Sequence, residues 1–269
     1  MDRLGWTVGQ TYSAYGKRFA IRSNSIDVFE RMTRALPPGA AESKDKVVES
    51  RVSVLDGGEP RGPIRRFHAG YLNEQRLAKS FDLSAIIERM SDEMHFMIAS
   101  LARTRVFLHS GVVALDGRAI LIPGYTESGK STLVKEFLAA GATLYSDEYA
   151  VLDRQGFVHP FPRPIQLRAA DGTQSRHDPV EMDVPVGTRP IRVGLVLHAK
   201  FEPDAVWNPR RLSPGQAALK LMQYSVNVRR EPKAVLQLLK QIGSTSAAFK
   251  SRRGQAREVV DWCQKNLSN

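Results

Sequence analysis

Eight consecutive residues, Gly124-Tyr125-Thr126-Glu127-Ser128-Gly129-Lys130-Ser131, fit the pattern G-x-x-x-x-G-K-[ST]. Such a loop is built to hold phosphate. Its glycines let backbone N–H groups curl around phosphate oxygens, its lysine reaches the terminal phosphates, and its last hydroxyl can ligate Mg²⁺. The context is the one this chemistry needs. The apolar run Ala119 to Ile122 leads directly into the loop, and "STLVKEFLAAG" follows as a helix ending at Gly141. The N-terminus of that helix adds the positive end of its dipole. Gly124, Thr126, Glu127, Ser128, Gly129, Lys130, Ser131 and Thr132 are the candidate nucleotide-binding residues. ATP and Mg²⁺ are the expected ligands.

An acidic pair, Asp147-Glu148, lies 17 residues after Lys130. A helix over Ser131 to Ala140 would carry the chain about 15 Å from the loop. A strand over Ala142 to Asp147 would return it about 20 Å. Both carboxylates thus come back beside the phosphates, as candidate metal groups together with Ser131. Two adjacent carboxylates allow one to face the metal and the other an incoming hydroxyl, although "SDE" is also an ordinary turn sequence. His109 closes an apolar run one hairpin upstream of the loop. By spacing alone, a lone histidine there is more often structural than catalytic.

The elements that must position these groups are legible in outline. "VFLHSGVVALDGRAILIPG" reads as two strands joined at Asp116-Gly117, a strong hairpin signal. "DRQG" reads as a second turn, and "FVHPFPRPIQLR" as a strand interrupted by prolines. Residues 169–188 lack periodicity and read as a long surface loop, and "PIRVGLVLHAKF" as a buried strand. The tail reads as helices: one capped at Ser213 with Pro214 in its first turn, one ending at Gly243, and one over "GQAREVVDWCQKNL". Upstream, "SAYGKRFAIRSNS" reads as a strand ending in a turn, then a helix capped at Ser25 and stopped by Pro-Pro-Gly. "VVESRVSVLDGG" reads as a strand and turn, and "SFDLSAIIERMSDEMHFMIASLART" as an amphipathic helix. A boundary near residue 98 would separate an α+β N-terminal region from a phosphate-loop domain over 99–269.

Composition narrows the possibilities. With 42% hydrophobic and 25% charged residues the chain has the balance of a water-soluble globular protein. A single cysteine, Cys263, excludes an internal disulfide and a Cys-rich zinc site. The opening "MDRLGWTVGQ" lacks the basic flank and apolar stretch of a signal peptide, and no apolar run approaches a membrane span. A cytoplasmic protein without a membrane partner is expected. From Lys200 to Asn269 there are 13 Lys or Arg against 5 Asp or Glu. That excess favours an anionic partner, or is simply a solvated basic face.

Taken together, "HSGV", "GYTESGKST" and "GATLYSDEYAVLD" resemble the catalytic domain of HPr kinase/phosphorylase, which phosphorylates a serine on a small carrier protein. The "SDEYAVLD…HPFPRPIQLR" run is similar to HPr-kinase-like proteins of peptide-biosynthesis clusters, including kinases of a lasso-peptide precursor's C-terminal serine. The likeness covers roughly Arg103 to Arg168. It implies an α/β fold with a P-loop-containing, PEP-carboxykinase-like core and a mixed sheet, followed by a helical C-terminus. It implies that His109 is an active-site histidine, that Lys130 and Ser131 serve phosphate and Mg²⁺, and that Asp147 is the base for the substrate serine. Glu148 falls near the metal in place of a family Asp. "IQLR" would put Arg168 near the transferred phosphate, with neutral Gln166 where the family carries a metal-ligating Glu. An assembly of like subunits is implied as well. The first hundred residues do not match that family's N-terminal domain, so phosphorylation of HPr and the reverse phosphorylase reaction are not expected.

The leading expectation is therefore an ATP-dependent kinase acting on a serine of a peptide or small protein, such as a precursor peptide. A nucleotide-dependent switch or ATPase would use the same loop, and so would a small-metabolite kinase. Nucleic acid is the less favoured partner, since neither a stacking pattern nor a helix-turn-helix signal is present.

Overall fold

Turn chemistry sets several of the pairs between consecutive strands. The computed structural model describes residues 4–59, 66–125, 127–168, 174–179 and 181–267. It divides into two units, Met1–Thr104 and Arg105–Asn269.

In the first unit, β1 (Val8–Ala14) and β2 (Lys17–Ser23) form a hairpin. Its turn residues Tyr15 and Gly16 both have positive φ, 50° and 79°, as a tight hairpin turn demands. The expected single strand is thus the turn and second arm of a hairpin. Helix α1 (Ile26–Arg34) starts where the Ser25 side chain accepts the Val28 N–H. Strands β3 (Ala41–Ser43), β4 (Ser50–Leu55), β5 (His68–Leu72) and β6 (Gln75–Ser80) precede α2 (Leu83–Leu101), capped by Asp82. The sheet order is β3-β1-β2-β4-β5-β6, with β2 and β4 parallel. Phe19, Ile21, Val52 and Val54 of the sheet bury against Val28, Met32, Ile86, Met90 and Met94 of the two helices.

The second unit begins with the long strand β7 (Val106–Leu115), which turns at Asp116-Gly117 into β8 (Arg118–Pro123). Those turn residues have φ of 49° and 72°. Then come α3 (Lys130–Ala139), β9 (Thr143–Ser146), β10 (Tyr149–Leu152), β11 (Phe157–His159), β12 (Ile165–Arg168) and β13 (Gln174–His177). Gly141, at φ 90°, lets the chain leave α3 in the left-handed conformation that ends many helices. The unit finishes with β14 (Ile191–Phe201), β15 (Arg210–Arg211), α4 (Pro214–Met222), α5 (Pro232–Thr245), β16 (Ala247–Arg253) and α6 (Ala256–Leu267).

The main sheet runs β11-β10-β7-β8-β14-β16-β15, with β9 also on the edge of β7. It is mixed: β8, β14 and β16 are mutually parallel, while β7 is antiparallel to β8. One face packs Val112, Leu121, Val196 and Ala248 under Leu221, Leu238, Leu239 and Ile242 of α4 and α5. The other packs Val113, Ile120, Ile122 and Leu195 under Leu133 and Phe137 of α3 and Val259 of α6. The protein is a mixed α/β fold. Among the described residues, no helix is long and apolar enough to cross a membrane.

Three expectations are corrected. The stretch 169–188 is not all loop, since its residues 174–177 pair with β12 as a small antiparallel ribbon. The tail is not purely helical: "AAFKSRR" forms β16, parallel to β14. Apart from Phe249 it lacks the β-branched and aromatic residues that mark strands, so pairing rather than propensity makes it one. Helix α5 does not stop at Gly243 but runs on to Thr245. Gly243 is buried there, and a Cβ on it would lie 2.5 Å from the Pro214 carbonyl oxygen. The glycine permits close approach of α4 and α5 instead of ending a helix.

This fixes the sign of one substitution. Gly243→Ala would add about 1 kcal/mol of helix propensity, against about 1–3 kcal/mol for pushing backbone aside. The variant should be net destabilised, read as a lower denaturant midpoint. An unchanged or raised midpoint would mean that the two helices can part without cost.

Candidate active site

The midpoint of β7 is where three chain segments meet. Above it, Val112 pairs with Ser146 of β9; below it, His109 pairs with Tyr149 of β10. Ser110 and Gly111 therefore face Asp147 and Glu148, and the Ser110 N–H donates to the Glu148 carbonyl at 2.9 Å. On the other edge Ser110 pairs with Pro123, and the Gly124 N–H donates to the His109 carbonyl at 3.2 Å. The start of the glycine loop and the acidic pair thus flank the same two residues.

Local chemistry shapes this junction. Tyr145 is an extra residue in the β9–β7 ladder, since Val112 pairs with Ser146 while Val113 pairs with Leu144. Such a bulge re-aims the side chains that follow it. The Ser146 hydroxyl then accepts the N–H groups of Glu148, at 3.2 Å, and Tyr149, at 3.0 Å. A local serine turn of this kind competes with the regular ladder and holds the acidic pair in a fixed bend.

The bend sends Asp147 inward. It is 6% exposed, and its Oδ2 accepts the Ser131 hydroxyl at 2.7 Å. Its Oδ1 is buried without a hydrogen-bond partner. Burial pushes the carboxyl up to about 6, although Ser131, Lys130 and the Gln166 backbone N–H all favour its charged form. Lys130 is 9% exposed. Burial pulls its ammonium below the ordinary value, while Asp147 and Glu148 hold it up. His109 is half-buried and is lowered to about 4, first by burial and then by Lys130. Its imidazole is neutral at neutral pH.

Glycine makes the close approach possible. A Cβ on Gly111 would lie 2.6 Å from Val134 Cγ2 and 3.2 Å from Lys130 Cγ. The first turn of α3 lies over β7 only because position 111 has no side chain. The loop itself bends through positive φ at Glu127 (67°) and Gly129 (83°). Gly129 caps α3 with no side-chain hydrogen bond, so the first N–H groups of the helix remain available to an anion. Glu127 is exposed, Ser128 half-buried and Thr132 exposed. The Ser128 carbonyl accepts the Phe201 N–H at 3.0 Å, tying the loop to β14. Thr126 lies outside the described residues.

His109, Lys130, Ser131, Asp147 and Glu148 are brought together. Arg168 closes β12, but its side chain lies outside what the structure describes. Two arginines that sequence reasoning missed are prominent instead. Arg163, 8% exposed, makes an ion pair with Glu148. Its clue was the "FPRP" run, where flanking prolines hold the backbone extended. Arg253, 1% exposed, donates from Nη2 to the Gly129 carbonyl at 2.6 Å and from Nη1 to Gly254 at 3.0 Å. It puts a buried positive charge directly behind the loop. No local pattern announces it, because it arrives on β16 from the far end of the chain.

The donor set suits a hard divalent cation. Ser131 Oγ and Asp147 Oδ2, 2.7 Å apart, are close to the roughly 3 Å between neighbouring ligands of an octahedral Mg²⁺ site. Among the described residues, no group of three His, Cys, Asp or Glu side chains is gathered for a metal. Sites that hold Mg²⁺ with one or two protein oxygens plus phosphate oxygens do not need one.

The sequence matches no protein-family model, and no curated protein matches it either. The chemistry is therefore read from the site itself.

Gly111→Ala tests how far the site depends on that close packing. It should cost about 1–3 kcal/mol of stability and shift Lys130 with α3, so that any nucleotide affinity of the loop falls. Thermal melts and nucleotide titration report the two effects. Wild-type ATP affinity in the variant would show that Lys130 does not depend on Gly111.

Proposed function

We propose that the protein is an ATP-dependent kinase that transfers the γ-phosphate to a serine hydroxyl on a peptide or small protein. One observation carries this reading: a buried carboxylate with one oxygen on Ser131 and the other unpartnered, within electrostatic reach of the loop lysine. The mixed sheet, with its acidic pair between β9 and β10 and across β7 from the loop, supports an HPr kinase-like core. A precursor peptide is the acceptor that the sequence resemblance favours.

In this reading Lys130 and the loop N–H groups bind the phosphates, and the buried charge of Arg253 behind the loop helps to offset theirs. Ser131 and Asp147 Oδ2 would hold Mg²⁺, which supplies further charge neutralisation on the phosphates when bound. Asp147 Oδ1 accepts the proton of the acceptor hydroxyl as that oxygen bonds to the γ-phosphorus. The bond from the γ-phosphorus to the β–γ bridging oxygen breaks, and ADP leaves. Neutral His109 offers a ring nitrogen to hydrogen-bond the acceptor or the phosphate without adding a competing positive charge beside Lys130. The Arg163–Glu148 pair holds the bend that presents Asp147.

A carboxyl near 6 is poised as a general base at neutral pH. The sign is definite: the group accepts a proton only when ionised, so activity falls as pH drops through its raised value.

The test is ATP turnover with and without a candidate peptide, followed by mass analysis for a gain of one phosphate. Lys130→Ala should abolish nucleotide chemistry, and Asp147→Asn should keep ATP binding but lose transfer. Hydrolysis that ignores every peptide would instead favour a nucleotide-driven switch. In the wild type, kcat/KM should show an acid limb near 6, which His109 at about 4 would not produce. A limb at the ordinary carboxylate value near 4 would remove Asp147 as the base.

A further inference from the structure

On the sheet face opposite α3, three strands line up basic residues. Lys250 of β16 pairs in register with His198 of β14 on one side and with Arg210 of β15 on the other. Residues directly opposite on neighbouring strands point to the same face, and like charges there repel. Lys220, in the last turn of α4, lies against Lys250 and within electrostatic reach of Arg210 and His198. None of Lys220, Lys250 and Arg210 makes an ion pair with a carboxylate among the described residues. By contrast, Arg252 and Arg257 nearby in the chain are both paired with acids. Three cations converge with no carboxylate among the described residues between them.

A second observation points the same way. His198 is 6% exposed, yet neither ring nitrogen has a hydrogen-bond partner. A buried imidazole without partners is costly unless something outside the protein meets it. Burial and the neighbouring Lys220 and Lys250 keep the ring neutral, lowered to about 4, so it can donate one N–H without adding to the repulsion.

The row also lies next to the phosphate loop. His198 is two residues beyond Val196, which pairs with Leu121 of β8, the strand that feeds the loop. The His198 ring is 6.0 Å from that of Tyr224, and Tyr224 is 4.9 Å from Tyr125 of the loop. The Tyr125 hydroxyl donates to the Gln223 carbonyl at 2.7 Å, where α4 ends. Two ring contacts therefore link the basic row to Tyr125 of the loop.

We propose that His198, Lys220, Lys250 and Arg210 form a second anion site, which holds a carboxylate or phosphate group of the phosphoryl acceptor while its hydroxyl reaches the loop. That the occupant is the acceptor rests on the kinase reading; that the row binds an anion does not. The four groups supply one neutral and three cationic donors, enough for charge-assisted bonds to a single anionic group. Three of the thirteen basic residues in the last quarter of the chain then belong to one recognition site.

The test follows the His198 ring by ¹⁵N NMR in the full-length protein with Mg-ADP saturating the loop. Inorganic phosphate and acetate are titrated in separate arms, which distinguishes the two kinds of anionic group. Saturable movement of the His198 signals is expected with at least one probe. Lys250→Ala and Arg210→Ala alter exposed side chains and should each weaken that binding about tenfold, the loss of one charge-assisted bond. Absence of saturable movement with either anion would overturn the site, as would unchanged affinity in both variants. If Mg-ADP does not bind at all, the same titration without it still reports on the row, so failure of the kinase reading is separable. An acceptor peptide whose KM is unaltered by Lys250→Ala and Arg210→Ala, despite wild-type anion binding at His198, would overturn the assignment of the occupant.

Discussion

Two groups of opposite charge, buried within electrostatic reach of each other, are the constraint on which the second unit's candidate site depends. An ammonium or a carboxylate alone in a dry interior costs several kcal/mol, and each becomes tolerable only when the other is near. Lys130 and Asp147 are both nine-tenths buried or more, and each moves the other toward its charged form. The compensation is incomplete, and Asp147 stays above the ordinary carboxylate range. That residual destabilisation leaves the carboxyl easier to protonate than a solvent-exposed one.

Everything close to the pair serves to keep it together. Gly111 lets α3 descend onto β7, and the bulge at Tyr145 with the Ser146 turn aims Asp147 inward. Arg253 braces the loop from behind, and Arg163 engages Glu148. These parts come from β7, β9, β12's approach and β16, elements far apart in the chain. A shift of one of them by a side chain's width would leave a buried charge unmatched, so the arrangement has little freedom to drift.

The sheet that carries the loop presents two chemically different faces. The α3 face holds the buried pair, while the other face holds the row of His198, Lys250 and Arg210 beside Lys220. Strand alternation places neighbours in sequence on opposite faces, which is why Phe249 packs into the α3 side while Lys250 belongs to the basic row.

Local signals in the sequence were enough for the strand–loop–helix around Gly124 to Ser131, the Asp116-Gly117 hairpin, the Ser25 and Ser213 caps and the return of Asp147, because each depends on a few adjacent residues and a fixed rise per residue. They were not enough for β16, for Gly243 as a packing position, or for Arg253 and Arg163 as partners of the site. Those depend on which distant strand lies alongside, and a weakly strand-forming run such as "AAFKSRR" becomes a strand only when β14 offers it a ladder. The sequence by itself determined which chemical groups are present and which short elements carry them. Only the tertiary structure decided which groups are buried together, and burial, by removing water, sets their charge and so their chemistry.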